Sequence, residues 1–287
     1  GQEPLVLPHP APGVEPKLVE LTWENGRYYL HLTVEQPKPE QIAGDRLAGV
    51  DLGEIHAITI TDESEALAVS GRLIRSVKRY RNKRVGATQR AMRRCKEGSR
   101  KWKRLLRAKH RVQAKTDAQL KNLHHQVTAK VVAHCIRRGI TRVVIGDPEG
   151  VQRNTRKGPT KRCRSRKVAQ KLAQWEFGID RSYLRYKLKA RGVTVKDENE
   201  AFSSQHCPAS GHRHKPKGRI YRCKCGFSWH RDVLGAWNIR SRHLYGELVV
   251  GATPKADHIT KYRHPYRWLT PPVRASVVAQ TGALIAS

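Results

Sequence analysis

Apolar residues in this chain come in short blocks set in a strongly polar background, and their periods predict most of its elements. Residues 17 to 23 and 27 to 34 are two strand-like runs that meet at Asn25-Gly26, where positive φ is cheap and a tight hairpin turn is favoured. A linker with prolines follows at 36 to 40, and then RLAGVDLGEIHAITITD reads as strand, turn, strand. TRVVIGD is a short buried strand and GVTVKDENE a further one. Between these runs the period changes to three and four. Leu73, Val77, Trp102 and Leu106 are sparse apolar points in a helical context. Leu120, Leu123, Val127, Val131 and Cys135 form the stripe of a helix capped at Thr116 or Asp117 and stopped at Gly139. Val168, Leu172, Trp175, Ile179 and Tyr183 predict a third helix, and HRDVLGAWNIRSRHLYG a last one ending at Gly246. Strands in a hairpin, followed by helices alternating with short apolar strands, make an α/β domain on a mixed sheet.

Charge changes the picture. The 287 residues carry 57 Lys and Arg against 24 Asp and Glu, a net +33, which calls for a polyanionic partner. The cations are concentrated: residues 71 to 115 hold 19 Lys and Arg and one acid, Glu97. A merely solvated helix would interleave acids with bases, so this segment reads as a phosphate-tracking surface, with Trp102 and Tyr80 available to stack. Arg75, Arg79, Arg93, Arg94, Lys101, Arg104 and Arg107 are its candidate contacts. A second basic stretch, from Arg153 to Lys167, adds Arg162 and Arg164. No run approaches the roughly 18 apolar residues of a membrane span, and the expectation is a cytoplasmic protein without membrane contact.

In so basic a chain the few carboxylates are informative. Hydrolysis of a nucleic-acid strand by paired Mg²⁺ or Mn²⁺ needs three or four of them brought together from distant segments. Asp51 closes a strand, Asp232 opens the last helix, and Asp147 or Glu200 follows an intervening strand. Strand ends of an open sheet converge on one edge, where ligands of such folds sit. The competing reading of these acids is a turn former and a helix-start residue.

Taken in order, GVDLGEIHAITITD, the cluster CP..G...Y.C.CGF and HRDVLGAWNI resemble the signatures of the TnpB (OrfB) family, transposon-encoded RNA-guided DNA endonucleases. The resemblance spans residues 46 to 246. It implies an RNase H-like (RuvC) mixed sheet with helices, an inserted zinc ribbon and an N-terminal β-hairpin that is a remnant of a longer barrel. The implied partition is 1–45 for leader and barrel strands, 46–203 for the nuclease core with a basic helical insertion at 71–139, 204–230 for the zinc ribbon, 231–246 for the last core helix and 247–287 for a tail. The implied partners are a guide RNA from the transposon end and target double-stranded DNA. Asp51 matches the family's first catalytic aspartate and Asp232 its last. Where relatives commonly carry Glu-Asp-Leu, this chain reads Gly146-Asp147-Pro148. Glu200, seven residues before Cys207, is the proposed replacement, giving Asp51, Glu200 and Asp232 as catalytic Mg²⁺ ligands, with Glu198 and Glu149 behind it. Without that replacement the chain is a nuclease-inactive RNA-guided repressor, and a generic basic zinc-ribbon RNA-binding protein is the third reading.

Of the six cysteines, Cys207, Cys223 and Cys225 cluster, which in a reducing compartment reads as metal binding rather than disulfides. A structural Zn²⁺ wants four Cys or His ligands. Ser210 stands where the family has the second cysteine of the first knuckle, and His212 or His214 can replace it, with His212 preferred.

Overall fold

Strands β1 (Pro16–Glu24) and β2 (Arg27–Val34) pair antiparallel, with Glu24 opposite Arg27 as the Asn25-Gly26 connection requires. Trp23 and Tyr28 meet across them with ring centroids 4.5 Å apart. Leu18, Leu21, Trp23 and Tyr28 are all exposed on this hairpin. The structure, a computed structural model, describes residues 15–24, 27–35, 37, 39–40, 44–147, 175–251, 253–254 and 258–263. The chain divides into two units, residues 1–37 with 265–287 and residues 38–264, so the hairpin belongs to the first and the rest of the described fold to the second. The expected third-helix residues Val168 and Leu172, the basic stretch with Arg162 and Arg164, and Glu149 lie outside the described residues.

In the larger unit, β3 (Leu47–Leu52), β4 (His56–Thr61) and β5 (Glu65–Ser70) form an antiparallel meander. Helices α1 (Arg72–Met92) and α2 (Arg100–Arg138) then lead to β6 (Arg142–Asp147), which pairs parallel to β3. Helix α3 (Phe177–Lys189) leads to β7 (Thr194–Asn199), parallel to β6. Two short strands, β8 (Ile220–Arg222) and β9 (Ser228–His230), run into α4 (Arg231–Tyr245), and β10 (His258–Tyr262) returns to pair parallel with β5. The order is β10-β5-β4-β3-β6-β7, a mixed sheet as the pattern of runs predicts, with two strands that pattern did not show, β5 and, from the segment read as tail, β10.

Alternation along β3 divides the core. Ala48, Val50 and Leu52 join one large cluster with Ile58, Ile60, Val127, Val131, Leu184 and Leu188, while Leu47 packs with Val144 and Ile239 of α4. Gly49, on the α4 face, shows how close the helix lies: a Cβ there would sit 2.1 Å from Ala236 O and 2.9 Å from Arg240 N. Arg240 Nε–H in turn donates to Leu47 O at 2.9 Å.

Two helical expectations are corrected. No helix starts at Thr116 or Asp117: Thr116 Oγ1–H donates back to Val112 O at 2.8 Å, and α2 runs unbroken from its Ser99 cap to Gly139. The solvent-facing basic half hid that continuity. In α3 the buried face is Phe177, Asp180, Leu184 and Leu188, one residue out of phase with Ile179 and Tyr183. The shift follows from Asp180, a buried carboxylate whose Oδ1 accepts from His124 Nδ1–H at 2.7 Å. His124 Nε2–H also reaches Glu176 at 2.9 Å, and Lys78 Nζ pairs with the same carboxylate at 2.9 Å. Burial opposes the charge on His124, but the hydrogen bonds and charges of Asp180 and Glu176 win and hold its pKa up at about 9.

Among the described residues no helix is long and apolar enough to cross a membrane, and none of the five described cysteines is in a disulfide.

Gly49→Ala is expected to cost at least about 3 kcal/mol in urea unfolding, because its Cβ meets backbone rather than a movable side-chain end. A loss below about 1 kcal/mol would show that α4 moves off β3 freely. The His124 cluster sets a pH signature. Its folded pKa lies above the ordinary 6.5, so its stabilisation is complete below pH 6.5 and lost as pH rises through about 9. Urea midpoints should fall across that window in the unmodified chain and lose this component in His124→Gln, which itself costs about 3–5 kcal/mol at pH 6. Parallel pH profiles for the two proteins would refute the assignment.

Candidate functional site

The α4 face of the sheet collects the carboxylates. Asp51 lies in β3 on the same face as Gly49, and the backbone of α4 comes close enough that a Cβ on Gly235 would stand 3.1 Å from Asp51 Oδ2. Asp232 sits in the first turn of the same helix, where its negative charge meets the positive end of the helix dipole. Glu200 follows β7, two strands from Asp51. The β6–β7 register places Gly146 opposite Glu198, and the Glu200 side chain folds back over Gly146, so that a Cβ there would meet Glu200 Cβ and Oε2 each at 3.2 Å and Ile239 Cδ1 at 2.5 Å. The missing side chain at 146 is therefore the space that Glu200 and Ile239 occupy.

The electrostatics divide these three acids. Burial first, then the charges of Glu200 and Asp232, push Asp51 well above the usual carboxylate range, against a weaker opposing effect of Arg231. Burial also raises Glu200, with help from Asp147, to about 7. Its Oε2 is buried and has no hydrogen-bond partner. For Asp232 burial works in the same direction, but it is outweighed by the hydrogen bond from His56 and the charge of Arg219, which hold it below the ordinary value. His56 Nδ1–H donates to Asp232 Oδ2 at 2.7 Å, and Arg219 Nη1 lies 3.2 Å from the same oxygen. The structure thus brings Asp51, Glu200 and Asp232 within electrostatic reach, with Asp232 drawn toward His56 and Arg219. A buried orphan oxygen and two carboxyls raised chiefly by burial are a donor set that fits divalent cations.

The other candidate acids are engaged elsewhere. Asp147 pairs with Arg181 at 2.9 Å, and Glu198 accepts from His243 Nδ1 at 3.2 Å. Three residues beside Asp232 escape the reading of the sequence: His56, Arg219 and His230. His230 is two residues before Asp232, and its ring meets His56 edge-on at 5.1 Å. Burial lowers its pKa, which favours the neutral imidazole. The visible signal was the His-Arg-Asp run itself, with a histidine two places ahead of a candidate metal ligand.

At the cysteine cluster the Sγ atoms of Cys207, Cys223 and Cys225 all lie within 4.8 Å of one another. Burial opposes ionisation of Cys223, yet the backbone N–H of Cys225 and the Ser210 hydroxyl bring its thiol down to about 6, while burial pushes Cys207 up. His212 stands outside this group: its Nδ1 is 2.9 Å from Ser210 Oγ, and Ser210 Oγ is 3.4 Å from Cys223 Sγ. His214 packs on Tyr221, ring centroids 4.6 Å apart.

Of the candidate nucleic-acid contacts, Arg79, Arg93, Arg94, Lys101, Arg104 and Arg107 are exposed on α1, α2 and the turn between them. Arg75 is half-buried and pairs with Glu54 at 3.4 Å.

Comparison with known proteins bears on the fold and the family. A family model described as "Probable transposase" (OrfB_IS605) matches residues 31–152, and one described as "Cas12f1-like, TNB domain" matches residues 177–239. A TnpB-like protein, MJ0751 of Methanocaldococcus jannaschii, is 30% identical over 78 residues, covering 26% of this chain and 28% of its own length. Among solved structures, a Cas12f1–sgRNA–target DNA complex superposes with TM-score 0.51 at 16% identity, over 78% of this chain and 56% of that one. A CRISPR–Cas12f ternary complex gives 0.52 at 18% identity, over 77% and 44%. The shared fold is the mixed-sheet α/β fold expected from the sequence. The chain spans about a quarter to just over half of the length of these relatives.

Glu200 should titrate near pH 7 in the metal-free chain when its side-chain carboxyl carbon is followed by NMR, and Asp147→Asn should lower that value. A titration at the ordinary glutamate pKa of about 4.3 would mean that its carboxylate is solvated rather than folded over Gly146.

Proposed function

The chain belongs to the TnpB (OrfB) family, and from that premise we propose that it is an RNA-guided, metal-dependent DNA endonuclease core. The observation that carries the proposal is the fit of Glu200 into the space above Gly146, from where its charge acts on Asp51 as that of Asp232 does, although β6 lacks the family's glutamate. Asp51, Glu200 and Asp232 would hold Mg²⁺ or Mn²⁺, which when bound would supply an activated water and stabilise the leaving oxygen of the phosphodiester. The chain's own part is to hold the three carboxylates on rigid elements and to keep Asp232 ionised through His56 and Arg219. The walls of the α4 face exclude bulk water from Glu200 Oε2.

The exposed cations of α1 and α2 are the proposed track for the phosphates of guide RNA and target double-stranded DNA, reading backbone and shape while base pairing supplies sequence. Cys207, Cys223 and Cys225 are proposed to hold a structural Zn²⁺, with Ser210 and the His212 behind it on the fourth side. The 204–230 segment that carries them is the proposed zinc ribbon, between the nuclease core and its last helix.

The test is Mg²⁺-dependent cleavage of a plasmid target by protein co-expressed with its flanking transcript. The unmodified chain is expected to cleave, and Asp51→Ala, Glu200→Ala and Asp232→Ala each to lose at least about a hundredfold in rate. Full activity of Glu200→Ala with loss in Glu198→Ala would move the third carboxylate to β7. Copurifying RNA without cleavage by any form would leave a guided DNA binder.

A further inference from the structure

A second group of ligating side chains surrounds Asp232. His56 at the start of β4, His230 at the end of β9 and Asp232 in α4 each offer one ligand atom, and these three atoms lie within 4.8 Å of one another. The local backbone explains the convergence. The β4–β5 pairing slips between His56 and Ile58, an irregularity of the kind that re-aims a side chain, and β9 passes directly into α4 so that His230 and Asp232 are two residues apart. We propose that His56, His230 and Asp232 form a site for a borderline-soft divalent ion of the Zn²⁺ class, separate from the carboxylate centre but sharing Asp232 with it.

Two observations carry the site. The first is the donor set. Two imidazoles and one carboxylate suit Zn²⁺ and its neighbours in the first transition row, whereas Mg²⁺ takes oxygen ligands and gives up its water reluctantly. Three protein ligands leave the fourth position of a tetrahedral ion open to water. The second is an unsatisfied atom. His230 is only 6% exposed, and its Nδ1 is buried with no hydrogen-bond partner. That nitrogen has given up water without gaining a hydrogen bond, and coordination is a way for a buried imidazole to recover that loss. The hydrogen bond of 2.7 Å between His56 Nδ1 and Asp232 Oδ2 already holds two of the three ligands together. Arg219, which also touches that carboxylate, has a side chain 42% exposed and is free to retreat into solvent.

The site has a regulatory consequence that rests on the nuclease reading above. An ion held by His56, His230 and Asp232 withdraws Asp232 from Asp51 and Glu200, so Zn²⁺ opposes Mg²⁺ at the one residue they share.

Co²⁺ is the probe, added to the full chain after chelator treatment. Its thiolate bonds give strong ultraviolet charge-transfer absorption, and its nitrogen and oxygen bonds give only visible bands, so the cysteine cluster and the proposed site are read separately. One equivalent is expected to bind without charge transfer and to be displaced by Zn²⁺. His56→Gln and His230→Gln should each weaken that equivalent at least about tenfold, with thiolate absorption and far-ultraviolet circular dichroism unchanged. An equivalent that survives both substitutions, or that leaves with Glu200→Gln instead, overturns the site. So does a chain that takes up Co²⁺ through thiolates alone. Because the readout is binding, the expected titration in a chain that cleaves nothing supports the site and removes only the nuclease reading.

Discussion

The approach of α4 to β3 is the constraint on which the rest of the site depends. At Gly49 the helix backbone occupies the volume that any side chain would need, with Ala236 O at 2.1 Å from the position of a Cβ. That contact fixes the height of the helix over the sheet, and three consequences follow from it. Gly235 comes to rest against the Asp51 carboxylate, Ile239 covers Gly146, and the first turn of α4 delivers Asp232 to the edge where β4 presents His56. A helix standing even a side chain further out would leave Asp51 solvated and Asp232 out of reach of His56. The charge chemistry of the site is thus a product of backbone packing.

The two faces of the sheet treat buried charge differently. On the α1–α2–α3 face, His124 lies between Asp180 and Glu176 with Lys78 beside Glu176, and these opposite charges hold His124 and Glu176 ionised, while burial still raises Asp180 and leaves its Oδ2 without a hydrogen-bond partner. On the α4 face, like charges meet. Asp51 and Glu200 are driven upward by burial and by neighbouring acids, and only Asp232 is held ionised. Buried opposite charges that meet can stay ionised, whereas buried like charges are relieved by a proton or a cation. In a chain of net charge +33, carboxyls gathered on one buried face are the candidate ligand site on which the proposed function rests.

How far the sequence was legible follows the same division. Strands β3, β4 and β6 were readable because buried strands need apolar residues at a short period, β7 from the apolar start of GVTVKDENE although it is itself largely exposed, and the candidate acids Asp51 and Asp232 from where they stand relative to those runs. The continuity of α2 was not, since the half that leaves the core has no apolar stripe to count. The phase of α3 was hidden by Asp180, a polar residue at a core position whose partner His124 is 56 residues away. Strand β10 was hidden because it is a polar edge strand of five residues. Glu200 was singled out from Asp147 only through the family resemblance and the gap at Gly146; His230 left a faint signal in the His-Arg-Asp run and His56 none, because their convergence depends on a β-irregularity and a strand-to-helix junction.

Gly146 and Glu200 are best understood as one feature. A glutamate at 146 would project from β6 into the space now filled by Ile239 Cδ1 and by the Glu200 side chain, so the two acids are alternatives for a single volume. The parallel register makes the exchange geometrically cheap: β7 pairs Glu198 with Gly146, and two residues further the chain turns back far enough for a side chain to cross one strand spacing. On the proposed function, what the site requires is a place for a carboxylate over β6, reachable from either strand, and not a position in the sequence. A motif search that follows position loses the residue, whereas one that follows volume finds it, and the same logic explains why the absence of a side chain at 146 is informative about a residue 54 places away.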